Sequence, residues 1–155
     1  MNIPANILAE IYRHARENFP NECCGWLIGP RDSDTVVRAR RAVNAYQPSA
    51  HPTAPDRTAE TAYVIDGADL IELNSTMDDP EPPRVIYHSH PNGRAYFSET
   101  DRRVATDPWG DGPVYPVRQL VIGIDAERVV EARLFDWDDD ENGFVEVASF
   151  DGAQI

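Results

Sequence analysis

The sequence predicts an α/β protein, α+β in its mixture of strand pairings, folded as a three-layer α/β/α sandwich around a mixed sheet. Three observations carry this. Apolar residues at helical spacing open the chain, and short apolar runs of strand length recur between turn residues. Helical and strand segments then interleave in the order helix, strands, helix, strand, short helix, strands. At 155 residues the chain has the length of one domain, 1–155, and is too short for an eightfold β/α barrel of about 250 residues.

The elements follow in chain order. Residues 4–18 place Ile7, Leu8, Ile11 and Ala15 on one helical face, with Pro4 suited to the first turn and Phe19-Pro20-Asn21 ending the helix. Residues 23–29 read as a buried strand, and 35–43 as a second strand after a turn at 30–34. The stretch 45–60 holds three prolines and little periodicity, so it is expected to be a long loop of the kind that often carries function. Residues 61–65 look like a strand, and Asp66 followed by Asp69 is suited to capping a helix that carries Leu70, Ile71, Leu73 and Met77. After a turn at 78–83, residues 84–90 form a strand broken by Pro91-Asn92-Gly93. Ser98 begins a short helix to Ala105, and 107–116 is a Gly/Pro loop. Residues 118–125 and 128–137 are paired strands. From about 138 an acidic turn leads to a last strand at 144–150.

Composition narrows the function classes. Hydrophobic content of 41% and charged content of 26% are those of an ordinary globular protein. The longest apolar runs, such as 120–124, fall far short of the ~20 residues needed to span a bilayer. No basic stretch followed by an apolar segment opens the chain, so the expected location is the cytoplasm. With 27 acidic residues against 14 basic ones, all arginine, the net charge is −13, which disfavours nucleic acid and favours partners with a basic face. Neighbouring side chains on an extended segment point to opposite faces, so Cys23 and Cys24 cannot readily pair in a disulfide. They read as small buried hydrophobes in a reducing compartment.

Chemistry concentrates at His88-Ser89-His90. On a strand, residues i and i+2 face the same side, so the two imidazoles project together. They are either hydrogen-bonded surface histidines or two thirds of a catalytic zinc site. Ser98 and Asp101 are either a helix-capping pair or, for the aspartate, also a third metal ligand brought back by the loop 91–97. Two histidines and one carboxylate leave a fourth tetrahedral position for water. Glu22, between the first helix and the first strand, is either a surface carboxylate or the base such a water needs.

Taken together, Glu22, His88-Ser89-His90, a seven-residue spacer, Ser98, two residues and Asp101 resemble the JAMM (MPN+) zinc metallopeptidase motif. The flanking run from Pro20 through Glu22-Cys23-Cys24-Gly25-Trp26 to Gly29 is similar to the short prokaryotic version, and the likeness extends from about Pro4 to Phe135. The resemblance implies the curved, cytidine-deaminase-like sheet of the JAB/MPN fold. It implies one Zn²⁺ per chain on His88, His90 and Asp101, Glu22 as general base and acid, and Ser98 as hydrogen-bond donor to the oxyanion. It further implies hydrolysis after the C-terminal glycine of a ubiquitin-like protein, including sulfur-carrier proteins, whose glycine-ended tail enters by strand addition. The loops 45–60 and 107–116 would frame that groove, with Tyr96 and Phe97 either walling it or packing in the core.

Other readings remain beside it. A deconjugating isopeptidase would share the same residues. A metallo-β-lactamase-like hydrolase also begins with a paired-histidine motif, but Pro91-Asn92-Gly93 offers no further ligand and the other histidines are His14 and His51. A metal-binding interaction module without turnover would need neither Glu22 nor Ser98.

Overall fold

The structure, a computed structural model, describes residues 1–46 and 63–155. In chain order the elements are α1 (Ala5–Asn18), β1 (Cys24–Ile28), β2 (Arg38–Ala42), α2 (Gly67–Ser75), β3 (Pro83–His90), α3 (Glu99–Ala105), β4 (Arg118–Ile124), β5 (Val129–Asp138) and β6 (Gly143–Ala153). The six strands form one sheet in the order β2-β1-β3-β4-β5-β6. Only β3 and β4 run parallel, and their connection carries α3; all other neighbours are antiparallel, so the sheet is mixed.

Alternation along the strands sorts the side chains into two faces. On one face Leu27, Val85, Tyr87, Leu120, Ile122, Ala132 and Leu134 bury against Ile7, Ile11, Tyr12 and Ala15 of α1. Each such aliphatic side chain contributes about 1.5–3 kcal/mol on full burial, so this face anchors the fold. The opposite face holds two smaller clusters. Cys24, Trp26, Ile28 and Ile86 pack with Leu73 of α2, while Val121, Phe135 and Phe144 pack with Ala95 and Phe97 from the segment before α3. Helices therefore cover both faces, as the interleaved pattern predicts. The space between the two smaller clusters is where His88 and His90 project.

The local signals hold where the chemistry is local. Pro4 stands at the N-cap of α1, and Asp66 caps α2 by accepting from the Ala68 amide at 3.2 Å. Cys23 and Cys24 are free and buried.

Elsewhere long-range contacts alter the expected boundaries. The strand expected at 35–43 is shortened to β2, because Thr35 pairs with Asn2 and the Val36 amide bonds the Asn2 carbonyl, drawing this segment into the first core. Of the strand expected at 61–65, Ile65 makes a single bridge to Asn44, and residues 61 and 62 lie outside the described residues. Most of the expected loop 45–60 also lies outside them. In α2 only Leu73 is buried, and Ile71 is 72% exposed, because the nine-residue helix presents a single turn to the sheet. The last strand runs longer than 144–150, since β5 and β6 form a hairpin closed at residues 139–142. No helix among the described residues is long and apolar enough to cross a membrane.

Candidate metal centre

Register places the candidate residues on neighbouring strands. Cys24 of β1 lies opposite His88 of β3 in an antiparallel pair, and the bond from the Ser89 amide to the Cys23 carbonyl, 3.1 Å, carries the pairing one step further. Two residues before Cys24, on the same face, Glu22 therefore comes opposite His90. Its Oε1 lies 3.9 Å from His90 Nε2, and both residues are buried. Ser89, between the histidines, points the other way; its Oγ accepts the Cys23 amide at 2.8 Å and ties the Glu22 end of β1 to β3. Asn44 holds the same corner by donating from Nδ2 to the Glu22 carbonyl at 2.9 Å.

The fourth residue arrives on α3. Ser98 is its N-cap: Ser98 Oγ accepts the Asp101 amide at 3.1 Å, and Asp101 Oδ2 accepts the Ser98 amide at 2.8 Å, which is a complete capping box. The capping reading of this pair is thus correct, and it does not exclude the ligand reading. The same carboxylate lies 3.4 Å from His88 Nε2 through Oδ1 and 3.3 Å from His90 Nε2 through Oδ2, while the two Nε2 atoms are 3.1 Å apart. The cap orients the carboxylate, and the carboxylate closes a triangle with the imidazoles.

The contacts in that triangle are on the scale of a metal face. In a tetrahedron the edge is about 1.63 times the bond length, so zinc bonds of ~2.0–2.1 Å require edges of about 3.3–3.4 Å. The shortest contacts among His88, His90 and Asp101, 3.1–3.4 Å, are on this scale, with each histidine nearest a different carboxylate oxygen, and the three residues are a set of donors that could hold one ion. Three lone-pair-bearing groups facing one another in a buried space repel unless a cation, proton or metal, lies among them. The electrostatics of the three groups agree. Burial opposes charging of His88, yet the carboxylates of Asp101 and Glu22 overcome it and raise its pKa. For His90 burial prevails over Asp101 and lowers it. Burial of Asp101 would raise its pKa, but His88 and His90 hold its carboxyl well below the ordinary range.

Two aromatic rings flank the imidazoles. Tyr63 stacks on His88 with centroids 4.6 Å apart, and Tyr96, half exposed, tilts against His90 at 4.9 Å. Burial raises the Tyr63 hydroxyl pKa, and Asp101, Cys24 and Glu22 add to the effect. Sequence reasoning singled out Tyr96 but missed Tyr63, which reads locally as one more strand aromatic. Phe97 resolves to packing: it stacks on Phe135 at 5.2 Å and is buried. Of the two readings the sequence leaves open for Phe97, packing in the core is the one seen.

A mixed sheet covered on both faces, with two imidazoles and a capped carboxylate converging at a strand end beside a buried glutamate, defines an α/β domain with a candidate hydrolytic metal centre. The chain belongs to the prokaryotic homologs of the JAB domain, whose family model matches residues 4–136. It is 36% identical over 107 residues to the CysO-cysteine peptidase of Mycobacterium tuberculosis, a match covering 68% of this chain and 66% of the relative. It is 30% identical over 113 residues to the desampylase of Haloferax volcanii, covering 70% and 74% respectively. Among solved structures it resembles a protein from Desulfitobacterium hafniense (26% identity, TM-score 0.66, covering 94% of this chain and 88% of that one). A JAB1/MPN domain protein from Archaeoglobus fulgidus shares the fold, with 13% identity, a TM-score of 0.50, and coverage of 95% of this chain and 96% of that one.

Proposed function

We propose that residues 1–155 act as one zinc-dependent metallopeptidase domain, hydrolysing the bond after the C-terminal glycine of a ubiquitin-like protein, sulfur carriers included. The observation that carries the reading is the convergence of His88, His90 and Asp101, with shortest contacts of 3.1–3.4 Å, beside the buried Glu22 carboxylate 3.9 Å from His90. Membership of the JAB family and relatives named peptidase and desampylase support it. Two buried free thiols suit action in the reducing cytoplasm.

His88 and His90, through Nε2, and Asp101 would hold the ion. When bound, zinc acidifies a water toward a pKa of ~7 and polarises the scissile carbonyl. Glu22 takes one proton from the attacking water on its carboxylate as the new C–O bond forms. It returns that proton to the amine nitrogen as the C–N bond breaks, so the carboxylate ends as it began. Ser98 Oγ already accepts the Asp101 amide, which leaves its hydroxyl proton free to be donated to the developing oxyanion. The net charge of −13 steers a basic substrate face toward the site, and added salt weakens that steering.

The test pairs zinc content with cleavage of a ubiquitin-like protein extended beyond its terminal glycine. Wild type should carry about one zinc per chain and cut directly after the glycine. Glu22→Gln should keep the zinc and lose about 10⁴-fold in turnover, and Ser98→Ala about 10²–10³-fold. Near-normal turnover by zinc-loaded Glu22→Gln, or equal cleavage when a bulky residue replaces the glycine, would overturn the proposal. The similarity to a desampylase favours one further arm, an isopeptide-linked substrate, which separates deconjugation from precursor trimming.

A further inference from the structure

The rung of the sheet that carries the site continues beyond it. His90 of β3 lies beside Gly123 of β4, and Gly123 lies opposite Glu131 of β5, so the three positions share one face of the sheet. The spacer 91–97, which separates the histidines from Ser98, folds back across this rung. It passes so close that a Cβ on Gly123 would meet the Gly93 carbonyl oxygen at 2.7 Å and the Arg94 carbonyl carbon at 2.8 Å. Glu131 reaches up from the next strand and accepts the Ala95 amide on Oε1 at 3.1 Å. Ala95 is fully buried, so this amide has no water to turn to if the carboxylate is removed.

The other oxygen of Glu131 is also held. Arg133 donates to Oε2 from Nε at 3.1 Å and from Nη2 at 2.9 Å, and Arg133 Nη1 bonds Glu146 on β6 at 3.0 Å. The carboxylate is therefore aimed by its strand neighbours. Beyond Ala95 the chain passes Phe97, locked between Phe135 and Phe144, and reaches Ser98, whose capping box orients Asp101.

We infer that Glu131 is a positioning residue for the metal ligand Asp101, acting through the Ala95 amide and the start of α3. The inference rests on the metal reading proposed above. Glu131 touches neither the ion position nor a substrate, and its effect is on where the third donor stands relative to His88 and His90.

Zinc affinity, measured by competition with a chromogenic chelator, reads this directly. Glu131→Ala should bind zinc about 10–100-fold more weakly than wild type. Glu131→Gln, which keeps an oxygen for the Ala95 amide, should recover to within about threefold. Leu134→Ala, on the opposite face of the same strand, destabilises the fold without approaching the site and should keep wild-type affinity. Should Glu131→Ala fail to fold, Arg133→Ala on the half-exposed side of the relay should still weaken zinc severalfold. Wild-type affinity in Glu131→Ala, equal weakening in Leu134→Ala, or no recovery in Glu131→Gln would overturn the inference while leaving the metal reading intact. A wild-type chain that takes up no zinc would overturn both, and that result is seen before any variant is made.

Discussion

On the proposed reading Asp101 carries two tasks on one carboxylate, helix cap and metal ligand, and substitution can separate them. Its Oδ2 accepts the Ser98 amide at 2.8 Å, while its oxygens lie 3.3 and 3.4 Å from the two Nε2 atoms. Alanine removes both tasks. Asparagine keeps an oxygen for the cap but loses the negative charge that complements a divalent ion. Loss of half a capping box costs about 1 kcal/mol, and for a domain of this size 1 kcal/mol moves Tm by about 2–4 °C. Metal-free Asp101→Ala should thus melt about 2–4 °C below wild type, and metal-free Asp101→Asn within about 1–2 °C of it. With zinc at 100 times Kd the wild type gains about 2.7 kcal/mol, a rise of roughly 5–11 °C on the same conversion. Both variants should lose most of that rise. The assay is differential scanning fluorimetry with and without zinc, after chelation and dialysis. A full zinc-dependent rise in Asp101→Asn would refute the ligand role, and equal metal-free Tm values for wild type and Asp101→Ala would refute the energetic role of the cap.

Two further outcomes follow from other parts of the molecule. Burial, with the nearby Arg41 charge, lowers the pKa of His14 to about 4, and its Nδ1 is 2.8 Å from the Tyr87 hydroxyl. The unfolded chain then binds the extra proton between about pH 6.5 and 4, so stability present above pH 6.5 falls by up to about 3 kcal/mol toward pH 4; urea midpoints across this range should show a slope that His14→Gln lacks, and equal slopes would sink the assignment. At Gly123 an added methyl would press on the Gly93 and Arg94 backbone, so Gly123→Ala should cost about 1–3 kcal/mol in chemical denaturation and weaken zinc as well. Unchanged stability would show that the spacer yields freely.

How much of this was legible in the sequence depends on whether the cause is local. The Ile7, Ile11, Ala15 stripe and the caps Asp66 and Ser98 are set within one or two turns of chain, and they appear where the pattern puts them. His88 and His90 share a face because a strand has a period of two, which requires no knowledge of the neighbours. The placement of Glu22 opposite His90 needs the β1–β3 register, a pairing across more than sixty positions of sequence that no local pattern encodes. The family motif supplied that link in place of physics. For the same reason the local pattern overextends the strand expected at 35–43, since the distant Asn2 draws Thr35 away from it. Tyr63 and Glu131 are invisible as site neighbours in the sequence, because each acquires its site partner, His88 or the Ala95 amide, from a segment distant in sequence.

The seven-residue spacer shows where the two kinds of information meet. Its length is plain in the sequence, yet a seven-residue loop by itself places a helix N-terminus almost anywhere within reach of a strand end. What selects one position is the rung beneath it. Gly123 removes the side chain that would hold the loop off the sheet, Glu131 catches the Ala95 amide, and Phe97 drops into a pocket formed by Phe135 and Phe144. With three anchors along seven residues, Ser98 has little freedom left when its capping box forms, and Asp101 is delivered to the imidazoles in the triangle described. The length of the spacer is thus matched to these anchors, and on the proposed metal reading inserting a single residue between Ala95 and Ser98 should abolish zinc binding while leaving α1 and its core face folded.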